Sequence, residues 1–180
     1  MDDLTEKQVE SNLIYEGRFF SLYKDKVLLP NKKYSHREYI LHPKAAVIIP
    51  VFPDGDIILV KQYRYPLKEV FLEVPAGKAD PGETIEETAK RELLEETGYE
   101  AQTLTWLSRF YPCLGYSDEE MYLYLAEGLS LKGQTLDHDE FVQPIRMSFQ
   151  DAMTLLEKRE IRDLKTIVSL YQAQSYLAKR

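Results

Sequence analysis

Glu92, Glu95 and Glu96 crowd one short stretch, GKADPGETIEETAKRELLEETGYE (residues 77–100), which also carries Glu83, Glu86 and Glu87. At about 100° per residue on a helix, Ile85, Glu92 and Glu96 fall within roughly 40° of arc, with Thr88 and Glu95 beside them. Glu92 and Glu96 are four residues apart, where like charges repel. A shared face with an apolar residue also desolvates them. Such a cluster is costly unless arginine or a divalent cation neutralises it. Oxygen-only ligands favour Mg²⁺, Mn²⁺ or Ca²⁺ over zinc. Helix composition alone favours the plainer reading, a solvated Glu-rich face paired with Lys90 and Arg91.

The elements that must hold these carboxylates are legible around them. Thr84 followed by Glu87 is a capping-box pattern that starts a helix near Thr84. The turn D-P-G (80–82) precedes it, and Gly98 is placed to stop it. Apolar residues occur on more than one side of the helix, so it packs between other elements. Upstream, residues 12–43 read as strands with a turn at 29–33, and Pro43 marks a boundary. Residues 45–52 and 56–65, separated by P-D-G, read as a β-hairpin whose first strand is buried on both faces. A short strand over 70–78 leads into the acidic helix, and further strands lie near 102–111, 120–127 and 141–148. Ser148 caps one C-terminal helix. A second, over 163–179, carries Leu164, Ile167, Val168, Tyr171 and Leu177 as its apolar stripe. The expectation is an α+β protein with two parts, an N-terminal strand segment (1–43) and a main domain (44–180).

Composition narrows the function classes. Net charge is -7, and no basic run interleaves with aromatics, so no nucleic-acid partner is expected. The single cysteine, Cys113, excludes an internal disulfide and fits a reducing compartment. The polar, acidic start is no signal peptide, and the longest apolar run (45–52) is too short to span a bilayer. A cytoplasmic protein without a membrane partner is expected. An acidic protein that handles an anionic ligand needs local help from a cation or from placed arginines.

The spacing decides between the two readings of the acidic helix. Gly77, Glu83, Arg91, Glu92, Glu95, Glu96 and Gly98 fill every fixed position of G-x5-E-x7-R-E-U-x-E-E-x-G-U, where U is bulky and apolar. At residue frequencies of roughly 5–7%, that match arises by chance about once in 10⁸ starts. The segment resembles the Nudix box. The resemblance implies an α/β/α sandwich with a mixed sheet, hydrolysing a nucleoside diphosphate linked to another moiety. It also implies divalent cations held by Glu92 and Glu96 with Glu95 close by, Arg91 orienting the glutamates, and Glu83 supporting the helix from the preceding loop.

Flanking segments resemble the ADP-ribose pyrophosphatase subfamily. E-V-P-A-G-K (73–78) is similar to its E-[FIV]-P-A-G segment, which implies the Ala76 carbonyl as a metal ligand and Glu73 at the substrate. K-Q-Y-R-Y-P (61–66) is similar to K-Q-[FY]-R-x-P, which implies that Arg64 reaches the substrate phosphates. Residues 111–126 resemble an S-P-G-x-[ST]-x-E loop with Glu119 at its acidic end, although Cys113 and Leu114 replace the usual Ser and Pro. D-E-F-V-Q-P (139–144) resembles the loop whose glutamate, here Glu140, serves as base or additional metal ligand. The N-terminal strands resemble a small antiparallel sheet exchanged between two subunits. That implies a homodimer with Arg37, Glu38 and His42 at adenine- or phosphate-contacting positions.

The expected reaction is Mg²⁺-dependent hydrolysis (with Mn²⁺ as the other candidate cation) of ADP-ribose to AMP and ribose 5-phosphate. Glu140 would take a proton from the attacking water. The alternatives are another nucleotide sugar, such as GDP-mannose or ADP-glucose, and a nucleotide-sensing Nudix domain. Sensors often lose a ligand glutamate, and this box is intact.

Overall fold

The computed structural model describes residues 4–136 and 141–180. The described chain divides into two compact units. One comprises the chain up to Pro43 together with Tyr111–Glu120, and the other Lys44–Phe110 and Met121–Arg180. Among the described residues no helix is long and apolar enough to cross a membrane.

The first unit is a three-stranded antiparallel sheet of β1 (Lys7–Glu16), β2 (Ser21–Leu28) and β3 (Tyr34–Leu41), in that order. The turn at 29–33 closes with Leu29 N–H donating to Lys33 O at 2.8 Å. Every residue of β1 is exposed, including Val9, Leu13, Ile14 and Tyr15. Asp25 is buried and accepts hydrogen bonds from Gln8 Nε2 at 2.6 Å and Tyr39 Oη at 3.0 Å. The 111–120 segment joins the end of β3: Ile40 N–H donates to Tyr116 O, and His42 N–H to Asp118 Oδ1, each at 2.8 Å.

The second unit contains β4 (Ala45–Pro50), β5 (Asp56–Arg64), β6 (Glu69–Glu73), β7 (Ala76–Lys78), α1 (Ile85–Thr97), β8 (Tyr99–Glu100), β9 (Thr103–Phe110), β10 (Met121–Glu127), β11 (Ser130–Leu131), β12 (Val142–Ser148), α2 (Phe149–Glu157) and α3 (Leu164–Leu177). One sheet runs β7-β4-β10-β9 and is mixed, because β4 and β10 are parallel. A second, antiparallel sheet runs β12-β5-β6, and β8 pairs with β11.

Residues 45–65 are therefore not a hairpin. β4 and β5 share only the bridge between Val51 and Ile57 at the turn, then part into different sheets. The reason is burial. Ile48, Ile49, Ile57 and Leu59 are fully buried, so both strands need cover on two faces and neighbours on two edges. A two-stranded ribbon supplies neither.

The strand read at 70–78 is likewise two strands. Pro75 has no N–H to give a ladder, and the chain crosses there from the β5 edge to the β4 edge. Glu73 and Ala76 thus belong to different sheets.

Alternation along β4 sets the layers. Ala46 and Ile48 pack with Ala89 and Leu93 of α1, while Val47 and Ile49 face a larger core with Leu59, Leu123, Leu125, Leu170 and Ala173. The α3 stripe differs from the expected one. Leu164 and Tyr171 are half exposed, and the buried face is Lys165, Thr166, Ser169, Leu170 and Ala173. Polar residues lie inside because each has a hydrogen-bond partner there.

Candidate active site

The acidic helix starts and stops where its local chemistry requires. Thr84 Oγ1 accepts from Glu87 N–H at 3.3 Å, and Glu87 Oε2 accepts from Thr84 N–H at 2.8 Å. At the other end Gly98 adopts φ 80°, and its N–H donates to Leu94 O. A Cβ on Gly98 would also sit 2.8 Å from the backbone nitrogen of Gln134.

Arg91 organises the carboxylates. Its Nε and Nη2 donate to the two oxygens of Glu83 at 2.9 and 3.0 Å. Its Nη1 donates to Glu92 Oε1 at 2.8 Å and Glu95 Oε2 at 2.9 Å, and Nη2 also reaches Lys78 O at 3.0 Å. All of its N–H groups are thereby used. The cluster raises the Arg91 pKa above its ordinary value, chiefly through Glu83. In return the Arg91 guanidinium holds the Glu83 carboxyl down at about 2.

That depression predicts an acid profile. The folded value of Glu83 lies below the ordinary 4.5, so its stabilisation is complete above pH 4.5 and is lost as pH falls through about 2. The Tm gap between the native chain and Glu83→Gln should be constant from pH 7 to pH 5 and shrink below 4.5. Thermal melts across that range test it. A gap that instead widens toward pH 2 would refute the assignment.

Glu92 and Glu96 are buried, at 8% and 4% exposure. The peptide at 76–77 lies directly on them. Ala76 N–H donates to Glu96 Oε2 at 3.1 Å, and a Cβ built on Gly77 would fall inside the Glu92 carboxylate. Only glycine allows that approach. Among the described residues no group of three or more His, Cys, Asp or Glu side chains is gathered tightly enough to hold a metal ion unaided. Between Glu92 and Glu95 the Arg91 guanidinium supplies the positive charge. The donor types still suit a hard cation: three carboxylates, Glu92, Glu95 and Glu96, with the 76–77 backbone packed directly against Glu92.

Arg64 and Glu73 form a two-point pair, with Nε to Oε1 at 2.8 Å and Nη2 to Oε2 at 2.6 Å. Burial pushes the Glu73 carboxyl up, but the hydrogen bonds from Arg64 and the Lys165 charge outweigh it and leave the group below its ordinary value. Lys165 and Thr166 of α3 complete this network and have no counterpart in the sequence reading. The signal available was a lysine and a threonine beside Leu170 and Ala173 on a helix. Gln134 was also missed. Its Nε2 donates to Glu96 O at 2.7 Å and Val142 O at 3.1 Å, tying the end of α1 to the start of β12. Glu140 lies outside the described residues.

The remaining sequence candidates belong to the first unit. Arg37 pairs with Glu6, its Nε donating to Oε2 at 2.9 Å. Glu38 pairs with Lys24 at 3.0 Å across β2 and β3. His42 Nδ1 lies 3.6 Å from Glu119 Oε1, so these two candidates are neighbours.

The second unit sets a carboxylate-bearing helix against one face of a mixed sheet, with a strand-end peptide laid over its glutamates. Residues 41–170 match the family model described as the NUDIX domain. The chain is 43% identical over 176 residues to the ADP-ribose pyrophosphatase of Bacillus subtilis (strain 168), spanning 97% of this chain and 95% of that protein. It is 40% identical to the methanol dehydrogenase activator of Bacillus methanolicus, over 94% and 92% of the two chains. A crystal structure of an ADP compounds hydrolase superposes with a TM-score of 0.88 at 24% identity, covering 99% of this chain and 98% of that one. The chain belongs to the Nudix family of pyrophosphohydrolases, whose members generally require divalent cations.

Proposed function

We propose that this protein hydrolyses the pyrophosphate bond of ADP-ribose with Mg²⁺, giving AMP and ribose 5-phosphate. The observation that carries this reading is near full-length similarity to a protein named ADP-ribose pyrophosphatase in a chain whose box glutamates are all present. The Ala76 carbonyl, Glu92, Glu95 and Glu96, with Glu140 from the 137–140 segment, are the residues that would hold the cation. Bound there, a hard cation neutralises phosphate charge and lowers the pKa of a water.

The chain's own residues supply the rest. Arg91 keeps three carboxylates in fixed rotamers by spending every N–H on them and on Lys78 O. Arg64, held edge-on by Glu73, offers its outer N–H groups to a phosphate oxygen. Glu140 accepts the proton of the attacking water. Burial of Glu92 and Glu96 raises the strength of every charge interaction in the site.

The exposed apolar side chains of β1 support a homodimer joined through the N-terminal sheet, with Arg37, Glu38, His42 and Glu119 serving the adenine or phosphate end of the substrate. The acidic composition and single cysteine support a cytoplasmic location. The test is a panel of ADP-ribose, ADP-glucose and GDP-mannose with Mg²⁺ or Mn²⁺, scoring monophosphate products. ADP-ribose should show the highest kcat/KM, and a preference for a guanine nucleotide sugar would overturn the assignment. Sedimentation of the same preparation should give twice the 21.0 kDa chain mass; a monomer would remove the exchanged sheet.

A second reading follows from the methanol dehydrogenase activator: this chain raises the activity of a dehydrogenase. Adding it to a purified methanol dehydrogenase under turnover conditions tests that. An unchanged dehydrogenase rate would discard it.

A further inference from the structure

Among the described residues Glu73 is the most enclosed carboxylate, at 2% exposure. Two cations converge on it. Arg64 occupies both oxygens, and Lys165 Nζ, itself 7% exposed, donates to Oε2 from the first turn of α3. Lys165 also reaches Asp163 Oδ2 at 3.0 Å. Asp163 is the N-cap of α3 and accepts from Thr166 N–H at 3.0 Å and Thr166 Oγ1 at 2.6 Å. Thr166 Oγ1 in turn accepts from Val74 N–H at 2.9 Å. One helical turn therefore grips two consecutive residues, 73 and 74, just ahead of Ala76.

We propose that Lys165 is a positioning residue for pyrophosphate binding, acting through Glu73 on Arg64. The proposal rests on the hydrolase reading above. Its first ground is geometric. Arg64 spends two of its five N–H groups on Glu73 and is 41% exposed, so the orientation of its free edge is set by how firmly Glu73 is held. Arg64 is the exposed partner of the pair and cannot hold Glu73 from the inside, whereas Lys165 does.

The second ground is charge. Arg64 and Lys165 balance Glu73 and Asp163. Without Lys165 the group carries one net negative charge at the place where an anionic phosphate must approach. A helix fastener alone would need no charge here. Thr166 already joins α3 to Val74, and an apolar side chain at 165 would avoid the desolvation cost of a buried ion pair.

The experiment compares native chain, Lys165→Met, Arg64→Ala and the double variant on ADP-ribose with Mg²⁺, measuring kcat and KM separately. Lys165→Met should raise KM about 10-fold with kcat within about 2-fold, since ground-state phosphate binding is what is lost. In the Arg64→Ala background the same change should raise KM by about 3-fold or less, because only the change in local charge remains once the Arg64 edge is gone. Lys165→Arg, which keeps the charge, should restore most of the affinity. Lys165→Gln, which keeps a donor for Glu73 but no charge, serves if the methionine variant does not fold, and should also raise KM. A folded Lys165→Met or Lys165→Gln protein with native KM would overturn the proposal. So would an effect that multiplies undiminished onto that of Arg64→Ala, because that is what simple fastening of α3 predicts. If the native chain turns over no pyrophosphate in the substrate panel, the functional reading fails and the proposal falls with it.

Discussion

Replacing Glu96 by Gln should lower kcat/KM by at least about 100-fold while leaving the fold intact, because it removes one of the charges proposed to hold the cation. The substitution is close to isosteric. Glu96 is 4% exposed and accepts a hydrogen bond from Ala76 N–H, and a glutamine oxygen can still accept that bond. The charge goes, and one acceptor oxygen becomes a donor amide. Glu92 and Glu96 are one helical turn apart and both buried, so in cation-free buffer their repulsion is relieved and Tm should hold or rise. Added Mg²⁺ should then stabilise the native chain by mass action and the variant much less. Kinetics and melts with and without Mg²⁺ give both readouts. Near-native turnover, or an equal Mg²⁺-dependent rise in Tm for both proteins, would remove Glu96 from the cation site.

Gly77→Ala should have an effect of similar size on activity for a steric reason. Gly77 does not need a positive φ, so alanine is unstrained in its backbone. What it adds is a Cβ placed within the Glu92 carboxylate. Glu92 is long enough to swing aside, but doing so breaks its bond from Arg91 Nη1 and moves a buried charge. Overpacking of this kind costs about 1–3 kcal/mol, so a fall in Tm of roughly 3–10 °C is expected for a domain of this size. Loss of kcat/KM by about 100-fold should accompany it, since Glu92 is one of the residues proposed to hold the cation. If activity is retained, the close contact of the 76–77 peptide on Glu92 is dispensable.

Both predictions concern residues visible in the sequence, and the reason is that their constraints are local. The α1 capping box, the Gly98 stop and the spacing of Glu92, Glu95 and Glu96 are set by 3.6-residue periodicity and terminal hydrogen bonds, which act over a few residues. The strand positions were legible for the same reason. Their partners were not. Residues 45–52 and 56–65 look like a hairpin because P-D-G is a turn, yet the turn fixes only a reversal of direction. Which edge each strand offers depended on finding neighbours for two strands with buried apolar stretches, a demand met by β7 and β10 for β4 and by β6 and β12 for β5.

The α3 face shows the limit most clearly. Read by hydropathy, Leu164 and Tyr171 belong inside and Lys165 outside. In the fold Lys165 and Thr166 are buried because Glu73 and Val74, some 92 residues earlier, present to them a carboxylate and a backbone N–H just past the end of β6. By itself the sequence determined the acidic helix, its caps, its glutamate spacing and the family those residues signal, because each rests on short-range geometry. The tertiary structure alone decided that Arg91 saturates itself on those carboxylates, that the 76–77 peptide lies over them, and that α3 grips the strand leading to them. Those relations depend on which distant polar groups must satisfy one another once water is excluded, and no local pattern encodes that.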